Sequence, residues 1–166
     1  MKYRKSNRVN MKKWPDFASN RVYSPDFDRS DNVVLWDILE IREAELMEIE
    51  FISINSPYRQ GVRIAIDRGE GDISVLNQTH RSIFLWFDTA PRKTRIICRN
   101  NEGLVSVYNV FDDGEGMHSH LYKSGMKIEE VGEKRIYYCN DFGDTEKFDK
   151  LIFSITKLGA HNNNDF

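Results

Sequence analysis

Eight short apolar runs between about Leu46 and Leu158 constrain the fold most: LMEIEFISI, VRIAI, ISVL, IFLWF, TRIICR, LVSVYNVF, KRIYYC and KLIFSI. Turn residues cut them at spacings of roughly ten to fifteen, which is the signature of an all-β sandwich or barrel. Within the runs the apolar side chains alternate with polar ones. Met47, Ile49 and Phe51 alternate with Glu48 and Glu50, and Val62, Ile64 and Ile66 alternate with Arg63 and Asp67. Alternation of period two buries one face of a strand and leaves the other wet, which is the pattern of antiparallel sheets. The expectation is an all-β fold, a single-domain antiparallel β-sandwich of jelly-roll-like type with about eight strands over residues 33–158.

At 166 residues the chain has the length of one domain and can bury a core without disulfides or metals. The turns fall at NSPYRQG, DRGEGD, DTAPRK, NNEG, VGEK and NDFGDTEKFD, and Asn100 to Gly103 between TRIICR and LVSVYNVF predicts a hairpin. Residues 32–46, NVVLWDILEIREAEL, fit a strand or a short helix, with strand preferred. Residues 14–32 lack either period and predict an irregular lead-in, tacked onto the domain by Trp14, Phe17, Tyr23 and Phe27. A disordered tail is expected over 159–166.

The net charge of −2 conceals an asymmetry: residues 1–13 hold six lysines and arginines and no acid, which leaves −8 for the remainder. A flexible basic arm and an acidic body follow, with nucleic acid not the expected partner of so short an arm. Met11, before Lys12-Lys13-Trp14, offers a second start under which the first ten residues would not be native. No apolar stretch follows the basic start and no run reaches the length of a membrane span, so a signal peptide and a membrane location are not expected. Cys98 and Cys139 lie inside apolar runs and are expected to be reduced, buried thiols in a cytoplasmic protein.

The densest group of reactive side chains is FDDGEGMHSHLYKSG at 111–125, with Asp112, Asp113, Glu115, His118 and His120. On a strand His118 and His120 share a face, which gives a first-row metal two of its ligands. The pair resembles the His-x-His element of cupins. That resemblance implies a β-barrel metal site at His118 and His120 and a metal-dependent enzyme or small-molecule binder, although the next carboxylates here are Glu129 and Glu130. Asp26, Asp28 and Asp31, and again Asp112, Asp113 and Glu115, have the oxygen density of loop-borne calcium sites. No Gly-x-Ser-x-Gly elbow and no phosphate loop are present, since GEGD and GEGM lack the following Lys-Ser/Thr. No motif asks for a cofactor.

Without a catalytic signature, the leading expectation is a non-enzymatic interaction protein, of inhibitor, immunity or adaptor type, that meets a protein partner through its acidic body. Asp112, Asp113, Glu115, Tyr108 and Trp86 are the candidate contact residues. The alternatives are a carbohydrate- or calcium-binding module, resting on outward aromatics and loop acids, and a cupin-like metal-dependent enzyme using His118 and His120.

Overall fold

The computed structural model describes residues 21–143 and 147–161. The basic arm, Trp14, Phe17 and most of the tail lie outside them. Thirteen strands are present among the described residues: β1 Val22–Tyr23, β2 Val34–Glu40, β3 Ala44–Ile54, β4 Arg59–Ala65, β5 Gly71–Val75, β6 Gln78–His80, β7 Ser82–Trp86, β8 Lys93–Asn100, β9 Leu104–Asp112, β10 Met117–His118, β11 Gly125–Val131, β12 Lys134–Asn140 and β13 Leu151–Ala160. The eight apolar runs correspond to β3, β4, β5, β7, β8, β9, β12 and β13. The other strands are short, as β1, β6 and β10 are, or lack clean alternation, as β2 and β11 do.

The pairings are antiparallel and follow one path, β6-β5-β8-β3-β13-β12-β11-β2-β9-β4-β7, with β1 added to β2 and β10 to β9. Its two ends, β6 and β7, are separated in the chain by Arg81 alone, so the sheet folds back on itself and nearly closes. Arg81 fixes that corner: its carbonyl accepts from Ile66 N at 2.8 Å, and its guanidinium donates to the carbonyls of Ile66 and Gly69 at 2.9 and 3.1 Å. β2 makes the opposite corner, its start pairing with β11 and its second half with β9.

One core fills the interior, with Met47, Ile49, Phe51, Val62, Ile64, Ile96, Val107, Leu151 and Phe153 each 3 % exposed or less. The alternation read from the sequence is therefore the inward face of β3 and β4. β2 is a strand, as preferred, and both its faces are covered: Val34 and Leu39 join the main core, while Leu35, Trp36 and Ile38 form a second cluster with Val22 and Leu104. Tyr23 packs on the main core and the Phe27 ring lies 5.6 Å from Phe148, so these two aromatics tack the lead-in down.

The hairpin expected at Asn100 to Gly103 is not one. Gly103 N donates to Asn100 O at 3.0 Å, but β8 pairs with β3 and β5 while β9 pairs with β2 and β4. The turn carries the chain from one layer to the other, and turn residues alone do not distinguish the two outcomes. A two-residue turn at Gly132-Glu133 does join β11 to β12, and another at Leu76-Asn77 joins β5 to β6.

Candidate functional site

The free edge of β7 and the tip of the β5–β6 hairpin enclose a groove of about 580 Å³, lined among others by Val75, Leu76, Phe84, Trp86, Pro91 and Thr94. β7 pairs with β4 and ends the sheet path, so its other edge has no strand neighbour among the described residues. The main-chain groups on that edge follow from the register. Phe87 N donates to Gln60 O at 2.9 Å and Ile66 N to Arg81 O at 2.8 Å, so residues 81, 83, 85 and 87 face β4. By alternation the N–H and C=O of Ser82 and Phe84 point away from it, toward the free edge. The Trp86 carbonyl is already used, accepting from Thr89 N and Ala90 N at 3.2 and 2.8 Å.

Leu76 overhangs this groove. It takes the first central position of its two-residue turn with φ +49, followed by Asn77 with φ +63. Two successive positive φ angles suit Asn or Gly, whereas a leucine in the left-handed region costs about 1–2 kcal/mol. The same side chain is 87 % exposed. An unfavourable backbone thus holds a large apolar group out in water. Phe84 beside it is 39 % exposed, and the buried Thr94 hydroxyl in the groove wall has no hydrogen-bond partner among the described residues.

Trp86, expected from the sequence as a contact residue, lines the groove. Its ring lies against β4 at Gly61, where an added Cβ would come within 2.8 Å of Trp86 Cε3. The Arg59 guanidinium sits 4.4 Å from the ring centroid and is held there by Asp88 at 2.8 Å. Leu76, Phe84 and Thr94 were not among the expected residues. The available signal was a leucine next to Asn77 in a short turn, where a polar pair is usual.

The other expected residues lie elsewhere. Asp112 Oδ1 accepts from Gly114 N at 2.8 Å and Asp113 Oδ1 from Glu115 N at 2.9 Å, so both carboxylates close turns. Asp113 is 3.2 Å from His118 Nε2 with its side chain 4 % exposed, and Glu115 is exposed. Tyr108 packs between Trp36 at 5.0 Å and His120 at 4.4 Å, under the Arg63 guanidinium at 5.1 Å. Burial pushes its hydroxyl pKa up.

The shared face expected for His118 and His120 does not form. β10 ends at His118, and His120 has φ +56, so the alternation of a strand no longer applies between them. His118 packs on Phe111 at 5.4 Å, while His120 stacks on Trp36 at 5.7 Å and hydrogen-bonds the Leu35 carbonyl at 3.1 Å. Asp28 caps a short 3-10 turn through Ser30 N at 2.9 Å, and Asp26 accepts from Lys123 N at 2.8 Å. Among the described residues no group of three or more His, Cys, Asp or Glu is placed to hold a metal ion. No described helix is long and apolar enough to cross a membrane.

No protein-family model and no curated protein sequence matches this chain. Among solved structures, the Chromobacterium violaceum lectin CV2L, in complex with alpha-methyl-fucoside, is similar at 13 % identity and a TM-score of 0.38, over 73 % of this chain and 93 % of that one.

Proposed function

We propose that this protein is a non-enzymatic binding protein and that an extended, largely apolar segment of a protein partner lies along the free edge of β7. The observation that carries the reading is Leu76, 87 % exposed at a left-handed backbone position. A large side chain kept in an unfavourable conformation and in water is best accounted for by a partner that covers it. The outward N–H and C=O of Phe84 offer main-chain hydrogen bonds to an added strand, and the groove accepts alternate side chains of that strand. This moves the contact surface away from the acidic 111–118 loop, where two of the three carboxylates are engaged in turns.

Selection from a displayed random-peptide library tests it, with enriched sequences then measured against purified wild-type protein and Leu76→Asn and Phe84→Ser variants. The expected winners alternate apolar residues, and each substitution weakens them at least tenfold. Absence of enrichment, or equal binding by all three proteins, removes the β7 groove as a docking site.

A sugar ligand is the second reading, favoured by the combination of Phe84 and Trp86 with Asn77, Thr89 and Thr94 in one groove. A glycan array probed with wild type and Trp86→Ala decides it: saturable binding lost in the variant supports a lectin-like role, and a blank array ends it.

A further inference from the structure

At its start, β3 carries an acid in a core position. Glu45 is in phase with Met47, Ile49 and Phe51, the inward-facing residues of that strand, and is 3 % exposed. Its cross-strand neighbours are Cys98 on β8 and Ala160 on β13, neither of which brings a positive charge. The carboxylate oxygen Oε2 is buried with no hydrogen-bond partner among the described residues. A charged oxygen removed from water without a partner is expensive enough that native proteins nearly always supply one.

Glu45 lines a cleft of about 570 Å³ together with Glu40, Ile41, Glu133, Lys157 and Leu158. Lys157 is not its partner: its ammonium donates to the Glu40 carbonyl at 3.1 Å and lies 3.7 Å from Glu133 Oε2. Arg42, exposed at the mouth, forms no ion pair or hydrogen bond among the described residues, and its Nη1 lies over Gly159. The cleft therefore combines a buried acceptor, a second carboxylate at Glu40, and apolar walls from Ile41 and from Leu158, which is 44 % exposed. We infer that it binds an alkyl-guanidinium or alkyl-ammonium group, with the cation at the Glu45 carboxylate and the methylene stem along Ile41 and Leu158. A charge-assisted hydrogen bond in so enclosed a place is stronger than one at the surface. Such a group reaches the cleft as a free amine or as the arginine or lysine side chain of another protein.

The test is an NMR titration of the intact protein with two probes, agmatine and a blocked peptide carrying one internal arginine, repeated on Glu45→Gln, Glu40→Gln and Arg42→Gln. Saturable shifts at the Ile41, Glu45 and Leu158 amides are expected, at least tenfold weaker in Glu45→Gln and weakened less in Glu40→Gln. Saturation by agmatine alone assigns a free amine, and saturation by the peptide assigns a side chain. No saturable shift from either probe up to about 10 mM, weaker than ordinary specific binding, overturns the inference. So does a double-mutant cycle on unfolding in which Arg42→Gln and Glu45→Gln are strongly coupled, because Arg42 is then the chain's own counter-ion. Neither result bears on the β7 groove.

Discussion

The Tyr137 hydroxyl donates to Asp37 Oδ2 at 2.6 Å, with both residues 0 % exposed. Arg135 Nη1 binds the same carboxylate at 2.9 Å and Arg21 Nε binds it at 3.0 Å, so one buried acid ties the lead-in, β2 and β12 together. Burial and the neighbouring Asp37 charge push the Tyr137 hydroxyl pKa well up. Losing a buried charged partner costs more than losing one hydrogen bond to it. Tyr137→Phe should therefore lower unfolding free energy by about 1–2 kcal/mol, and Asp37→Ala, which removes the acceptor of the buried Tyr137 hydroxyl and of two guanidiniums that keep only Glu130 as a carboxylate partner, by more, about 3 kcal/mol. Urea denaturation of both variants checks the order, and equal losses would contradict it.

Asp67 makes stability depend on acid. Burial opposes its ionisation, but hydrogen bonds from Arg63 at 2.8 Å and from the Ser106 hydroxyl outweigh that and hold its pKa below the ordinary 3.8. A carboxyl depressed in the folded state adds stability that is complete above its unfolded pKa and is lost as pH falls through the folded one. Asp28 and Asp149 are also held low and act in the same window. The urea midpoint should thus fall below about pH 4, and less steeply in Asp67→Asn than in wild type. Parallel curves for the two proteins would exclude Asp67 as a contributor.

Leu76 separates folding from binding. Asparagine tolerates the left-handed backbone and exposes less apolar surface, so Leu76→Asn should leave stability unchanged or raise it by about 0.5–1 kcal/mol. A thermal melt reads this directly. A drop of several degrees would mean that Leu76 serves the fold rather than a partner.

Both thiols should resist labelling. Cys98 and Cys139 are free and buried, and burial pushes the Cys98 pKa up to about 12 and that of Cys139 well above the ordinary value. The reactive thiolate is scarce at neutral pH and shielded as well. A thiol reagent should modify them only at the rate of unfolding, so labelling within minutes in native buffer would refute their burial.

The strands that alternate, such as β3 and β4, were legible because one of their faces meets the core and the other meets water. β2 was ambiguous for the opposite reason: Leu35, Trp36 and Ile38 are buried against the second cluster while Val34 and Leu39 are buried against the first. A strand covered on both sides loses the periodicity that distinguishes it from a buried helix. Trp86, which lines the groove, stood out in the sequence as an aromatic in the IFLWF run, whereas nothing local marked Thr94.

Composition, spacing and alternation by themselves determined an all-β antiparallel domain with buried thiols, because each is a local consequence of which side chains water excludes. Tertiary structure alone decided that Asn100 to Gly103 crosses between layers, that His118 and His120 part company, and that, among the described residues, β7 keeps a free edge under Leu76 and Glu45 Oε2 occupies a core position without a hydrogen-bond partner. Those outcomes depend on which strands pair across the sheet and where the path fails to close. Residues tens of positions apart set them, and no local pattern records that.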